Sequence, residues 1–175
     1  VGAEEIGCTQ AVITGTDMVV ADEATGEDAN RVSETKGEIL LFLTDGLTAL
    51  RRKSLLELAD WAVYDQVAIA APKYEEENRV IREMGLAMTT DGPVSMFEGC
   101  FTDGTTDCGK NYWYRDVTAV DYHCFVIRRE LFDQVGGFST GEDGGSNLRM
   151  LDFCLRLRAL GYRHMVSPYA PMHLN

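Results

Sequence analysis

Positive charge is scarce in this chain: 16 Lys and Arg stand against 28 Asp and Glu, a formal net charge of −12. A surface this negative repels nucleic-acid backbones and anionic membrane faces, so neither is an expected partner. Net charge is a global sum, however, and leaves room for a local basic pocket that takes a diphosphate. Long apolar runs are missing too. The longest, Ala11 to Ala21, is broken by Thr14, Thr16 and Asp17, and is too short and too polar to span a bilayer. No basic region followed by an apolar core opens the chain, so no signal peptide is expected, and the absent initiator Met suggests an excised or processed segment. The five cysteines (Cys8, Cys100, Cys108, Cys124 and Cys154) are odd in number, irregularly spaced and without a Cys-x-x-Cys pair. That argues against a metal or redox cluster and for reduced thiols in a cytoplasmic setting, packed as small hydrophobes. Internal repeats and low-complexity tracts are absent.

What is present fits one domain over residues 1–175, long enough to bury roughly two thirds of its unfolded surface. Ala11 to Val20 is rich in β-branched residues and reads as a strand. Asp28 to Lys36 is a short polar helix candidate ended by Gly37. Ile39 to Leu43 (ILLFL) is apolar on both faces, as a central strand in a covered sheet must be. Ser54 opens a helix with Glu57 as a capping-box partner, and Leu55, Leu58, Ala59 and Ala62 fall on one face. Val67 to Ala71 follows as a buried strand halted by Pro72. This alternation implies parallel pairing with right-handed crossovers. From Tyr74 to Asp116 the glycines and aspartates indicate strand pairs and long loops, where binding residues are often held. Val117 to Ile127 reads as a strand, Arg129 to Val135 as a short helix and Asn147 to Leu160 as a longer one. On the last, Leu148, Leu151 and Leu155 share one face, while Arg149, Asp152 and Arg156 share another. His164 to Val166 is a terminal strand bounded by Ser167-Pro168.

Several segments in this order resemble a known family. Gly37-Glu-Ile-Leu-Leu-Phe-Leu-Thr-Asp45 looks like the strand that delivers the acidic metal-binding motif of family-2 glycosyltransferases, and Ala70-Ala-Pro-Lys73 like the strand after the next helix. Tyr114 to Val120, Cys124 to Glu130 and Val135-Gly-Gly-Phe138 resemble its acceptor-side strand and helix. Asp152-Phe-Cys-Leu-Arg-Leu-Arg-Ala-Leu-Gly-Tyr-Arg163, followed by Ser167-Pro-Tyr-Ala170, resembles the rhamnosyltransferase-like branch. The fold implied is α/β, a GT-A-like mixed sheet flanked by helices, here lacking the first strand–helix unit that would hold the nucleotide base and ribose. The function implied is transfer of a sugar from a nucleotide-sugar donor to a saccharide acceptor in polysaccharide biosynthesis. The alternative is a non-catalytic sugar-binding or scaffolding domain derived from such an enzyme.

Inverting sugar transfer needs a positive group on the leaving diphosphate and a carboxylate to take the acceptor proton. The resemblance puts Asp45 in the metal motif, with Gly46 where a second ligand is expected, and His173 near the family's metal-contacting histidine; the cofactor would be Mg or Mn. The position expected to act as base is Met150, which cannot take a proton. Asp152 is then the candidate catalytic carboxylate, with Glu142 and Asp143 as alternatives in the glycine-rich loop upstream. Asp121, Tyr122 and His123 replace a small-residue run beside the acceptor, and Trp113 is placed to stack on a sugar ring. With these positions altered, the isolated chain is expected to be inactive.

Overall fold

The computed structural model describes residues 4–5, 16–20, 32, 36–44, 46–49, 51, 53–103, 106–139 and 145–174. Asp45, Glu142 and Asp143 lie outside the described residues, as does most of the helix expected over residues 28–36, of which Val32 is helical and buried. The short β1 (Glu4–Glu5) and β2 (Thr16–Val20) lead to β3 (Ile39–Leu43), whose side chains are buried on both faces beyond Ile39. A turn with Gly46 at φ +83° leads into β4 (Leu47–Ala49), then helix α1 (Ser54–Ala62) and β5 (Val67–Glu75). The middle is β6 (Ile81–Glu83), the hairpin β7 (Leu86–Thr89) and β8 (Gly92–Ser95), a 3₁₀ turn over Thr106–Tyr112, and β9 (Arg115–Val117). The chain closes with β10 (Cys124–Arg128), α2 (Arg129–Gln134), α3 (Ser146–Ala159) and β11 (Arg163–Leu174).

The main sheet has the order β1-β4-β11-β5-β10-β3-β2, with β6 added to β5 and β9 to β11. It is mixed. β2 runs parallel to β3 and β5 parallel to β11, but the antiparallel β10 lies between β3 and β5. The direct pairing that simple alternation implied for β3 and β5 is therefore not made, although both point the same way. Local pattern sets strand existence; the insertion of β10 is a tertiary event.

Two apolar layers cover the sheet. On one face Leu41, Leu43, Ala70, Tyr74, Cys124 and Val126 pack with Leu58 and Ala62 of α1. On the other, Phe42, Phe125, Phe132, Phe138 and Phe153 form a ring cluster beneath α2 and α3, with Phe42 stacked on Phe125 at 4.6 Å. This cluster decides how α3 turns. Met150, Phe153, Cys154 and Leu157 face the core, while Leu148 and Leu155 are 58% and 43% exposed, so the leucine stripe seen in the sequence is largely solvent-facing. The paired arginines after β10 are structural: Arg128 donates to the carbonyls of Ala62, Tyr64 and Asp65 at the end of α1, and Arg129 to Gly37 and Val32.

Other expectations are corrected by the tertiary context. β5 runs through Pro72 to Glu75, because the β11 register slips between Ser167 and Pro171, opposite Pro72 and Lys73, and a proline lacking its N–H is tolerated at such an irregularity. The strand expected over Val117–Ile127 is split, with residues 118–123 forming a loop between β9 and β10. The terminal strand extends well past Ser167-Pro168, to Leu174. No capping box forms at α1, whose N-cap is Lys53 without a side-chain bond. Ser54 is buried instead, its hydroxyl donating to the Pro171 carbonyl at 3.4 Å. Glu57 Oε1 accepts from Trp61 Nε1, Tyr114 Oη and Ser167 Oγ, which joins α1 to β11 and to the residue just before β9.

Candidate active site

β3, β5 and β11 run in one direction and end at one edge of the molecule, where β10 enters at Cys124 and β4 at Leu47. In open α/β sheets ligands are bound outside such carboxyl ends. Two groups of polar side chains collect there.

The first lies in the loop ahead of β10. Asp121 Oδ1 accepts the backbone N–H of His123 at 2.8 Å and also pairs with His123 Nδ1. The carbonyl of His123 accepts the backbone N–H of Thr44 at 2.9 Å and its hydroxyl at 3.4 Å, which ties the loop to the end of β3, one residue before Asp45. Tyr122 stacks on the His123 ring at 4.1 Å, and Tyr74 meets it edge-on at 6.2 Å while donating to the Cys124 carbonyl. Glu83, opposite Tyr74 in the β5–β6 pairing, is hydrogen-bonded to Asp121. Burial and then the Asp121 charge push the Glu83 carboxyl up to about 8, so at neutral pH the Glu83–Asp121 pair holds a proton between its two carboxyls. Burial likewise lifts the Tyr74 phenol well above its ordinary range, so it stays a donor. Gly85 is needed behind Glu83: its φ is +86°, and a Cβ there would sit 2.6 Å from Val117.

The second group lies across β5 and β11. A cleft of about 270 Å³ is lined by Arg51, Lys73, Glu75, Arg79, Tyr112 and Tyr169, with Thr102, Pro168 and Pro171. Lys73 is nearly fully buried, its ammonium 2.7 Å from the Glu75 carboxylate and 6.0 Å from the Tyr112 ring centre. The Glu75 carbonyl accepts from His173 Nδ1 at 2.8 Å. A carbonyl cannot donate, so His173 carries its proton on Nδ1 and keeps the Nε2 lone pair when neutral. His173 is paired in register with Thr48, three residues after Asp45. A larger hollow of about 550 Å³ lies at the opposite end of the sheet between Lys36, Glu38, Arg128 and Asp133, away from the converging strand ends.

The structure thus brings Asp121, Tyr122 and His123 together beside the end of β3, which precedes Asp45 in the chain, and sets His173 on the neighbouring part of the same edge. It does not bring the rest. Asp152 is half-exposed on α3 and is bound by Arg156 at 2.9 Å, which also donates to the carbonyls of Val135 and Gly137. Met150, at the position expected for the base, is packed in the core. Trp113 is 60% exposed, and its ring makes no bond or stacking contact with the Asp121–His123 loop among the described residues. Sequence reasoning missed Glu83, Tyr74 and Glu75. Glu83 sits in a short strand with no local signal, and only the β5–β6 register carries it to Asp121. Among the described residues, no group of three or more His, Cys, Asp or Glu has metal-binding geometry, and no helix is long and apolar enough to cross a membrane.

No family model matches the chain. It is 26% identical over 146 residues to the uncharacterized protein y4gI of Sinorhizobium fredii (81% of this chain, 16% of that one). It is 27% identical over 133 residues to the O-antigen biosynthesis protein RfbC of Myxococcus xanthus (74% and 10%). The chain therefore spans only a small part of the curated relatives it matches. Among solved structures, the mannosyltransferase PcManGT of Pyrobaculum calidifontis, in complex with GDP-Man and Mn²⁺, superposes with a TM-score of 0.52 at 14% identity, over 83% of this chain and 34% of that one. GalNAc-T7 with UDP, GalNAc and Mn²⁺ superposes with a TM-score of 0.60 at 13% identity, over 83% and 29%. At these identities the likeness establishes the fold, a GT-A-like mixed sheet flanked by helices.

Proposed function

We propose that this chain, as a domain of a larger polysaccharide-assembling protein, transfers a sugar from a nucleotide-sugar donor to a saccharide acceptor on the cytoplasmic side. The rhamnosyltransferase-like branch of family 2 is the family we assign. The observation that carries the reading is the cleft at the carboxyl ends of β5 and β11. Among the described residues Arg51, Lys73 and Arg79 line it, with Glu75 paired to Lys73 and the exposed Asp103 paired to Arg79 at the rim, in a chain with a net charge of −12. Such a local excess of cations is what a nucleoside diphosphate requires, and Tyr112 and Tyr169 offer apolar walls. The RfbC relative, an O-antigen biosynthesis protein, supports the polysaccharide context. The buried free thiols of Cys124 and Cys154 support a reducing compartment.

Asp45 and His173 are the residues that would hold a divalent cation, Mg or Mn. The Nδ1–H bond from His173 to the Glu75 carbonyl fits that role, because metal-binding histidines are commonly oriented through the nitrogen that does not ligate. When bound, the cation would neutralise charge on the departing diphosphate. Lys73, held by Glu75, adds a fixed positive charge beside it. Asp121, Tyr122 and His123 form the acceptor side, and Trp113 is available to stack on a sugar further out.

Calorimetric titration with UDP, dTDP and GDP, each with and without Mn²⁺, tests this. Cation-dependent binding is expected for one of them, weakened at least tenfold, about 1.4 kcal/mol, by Asp45→Ala and by Lys73→Met. Absence of binding to all three would defeat the reading. Binding that ignores both Mn²⁺ and Asp45→Ala would instead favour the sugar-binding or scaffolding alternative, to which the buried Met150 lends some support.

A further inference from the structure

We infer that His123 is the base that takes the proton from the acceptor hydroxyl, with Asp121 orienting its ring and Glu83 positioning Asp121. The assignment rests on the sugar-transfer reading above and names the residue that replaces the missing carboxylate. Met150 cannot accept a proton and lies in the core, and Asp152 is engaged by Arg156 on the outer side of α3.

The geometry around His123 is that of an oriented base. Its Nδ1 donates to Asp121 Oδ1, so the neutral ring keeps its lone pair on Nε2. Nε2 has no hydrogen-bond partner among the described residues, and 19% of the side chain is exposed. The ring cannot easily turn away. Asp121 holds both the backbone N–H and the imidazole of the same residue, Tyr122 covers one face, and Tyr74 closes an edge. The His123 carbonyl is tied to Thr44, so the base is anchored to the strand end that precedes Asp45. Glu83 completes the arrangement because burial disfavours its charged form, so it does not stand beside Asp121 as a second full negative charge. A carboxylate behind a histidine fixes the tautomer and stabilises the imidazolium that forms, the logic of oriented-base catalysis on any fold.

The step balances. The acceptor hydroxyl loses its proton to His123 Nε2 as its oxygen bonds to the anomeric carbon. The bond from that carbon to the diphosphate oxygen breaks, and the electron pair leaves with the nucleoside diphosphate. The imidazolium then releases its proton to water. Asp121 remains a carboxylate throughout.

Two measurements test the assignment. In a long-range ¹H–¹⁵N spectrum of the ¹⁵N-labelled chain, His123 should be the Nδ1–H tautomer with an unprotonated Nε2, and Asp121→Asn should shift it toward Nε2–H. A dominant Nε2–H form in the wild type would overturn the proposal without reference to turnover. Donor consumption is then followed with UDP-, dTDP- and GDP-sugars over mixed monosaccharide acceptors, alongside nucleotide titration. His123→Gln should cut kcat by about 100-fold or more while leaving nucleotide affinity within about twofold. Glu83→Ala, which removes the partner of Asp121, should lower kcat and shift the tautomer toward Nε2–H, and Glu83→Gln, which keeps a donor there, should restore the Nδ1–H form; an unchanged tautomer and kcat in Glu83→Ala would remove Glu83 from the assignment. Turnover of His123→Gln within threefold of wild type, with binding intact, would sink the base alone, as would wild-type nucleotide binding without any turnover. Loss of nucleotide binding in the wild type itself would remove the transfer reading and the base with it.

Discussion

Raising the pH from 6.5 to 8 should weaken the fold through Glu83. Its ordinary value of 4.5 rises to about 8 in the folded chain, through burial and the neighbouring Asp121. Between those values the folded protein keeps a proton that the unfolded chain has released. The stabilisation is therefore complete below 4.5 and is lost as pH climbs through 8. His164 acts with the opposite sign. Burial lowers its pKa from 6.5 to about 4, against the opposing effect of the bond from Nε2 to the Cys154 carbonyl, so its contribution is complete above 6.5 and is lost as pH falls through 4. The two slopes oppose each other from 4.5 to 6.5, and above 6.5 Glu83 acts without that opposition. Over those one and a half pH units the ceiling is ~2 kcal/mol. Partial exposure of Glu83 and proton sharing with Asp121 reduce this to ~1 kcal/mol. In urea, with a slope of ~2 kcal/mol per molar, that lowers the unfolding midpoint by ~0.5 M. The assay is urea unfolding followed by circular dichroism at pH 6.5, 7.2 and 8.0 for the wild type and Glu83→Gln. The amide donates to Asp121 at every pH, so the variant should be flat across this range. A flat wild type, or a variant that falls as steeply as the wild type, would refute the assignment of the slope to Glu83.

Further outcomes follow from the same structure. His164→Gln should flatten the loss of stability between pH 6.5 and 4, an effect of up to ~3 kcal/mol, read from acid-unfolding curves. Gly85→Ala forces a positive φ on alanine and a Cβ against Val117; it should cost ~2–3 kcal/mol, visible as a clear drop in Tm. Asp152→Asn removes only a half-exposed ion pair and should cost less than ~1 kcal/mol, with less than a tenfold change in transfer. Arg156→Ala should cost more, ~1–2 kcal/mol, because it also leaves the Val135 and Gly137 carbonyls without their donor; thermal unfolding of the two variants side by side checks the order.

Local pattern carried much of the architecture. A five-residue run apolar on both faces has nowhere to go but the middle of a covered sheet, and Ile39–Leu43 is there. Of the α1 stripe Leu55, Leu58, Ala59 and Ala62, the last three are buried as the spacing requires, and Leu55 packs partly buried at the edge of the same cluster. These features follow from side-chain period and hydrophobicity, which act over a few residues. The ordered motifs also carried the resemblance to the GT-A fold. What failed were decisions between competing local signals. Residues 147–160 hold two apolar stripes, and only contact with the phenylalanine cluster chose Met150, Phe153, Cys154 and Leu157 over the leucines. Pro72 reads as a stop, yet β5 continues because β11 is irregular beside it.

For the site, the residue types were legible and the partnerships were not. Asp121, Tyr122 and His123 stood out as bulky polar replacements in a motif, but nothing in the sequence said that Asp121 would hold His123 by both its ring and its backbone. Glu83 lies 38 positions from Asp121 and Lys73 lies 98 from Pro171, its neighbour across the strands. Electrostatic and hydrogen-bonding partners are chosen by proximity in space, and that proximity arises only when β6 closes on β5 and β10 slots in beside β3. The sequence alone determined which segments become strands and helices and which chemical groups were on hand. Tertiary structure decided which groups meet, because burial and charge act across distances that strand pairing, and not chain order, controls.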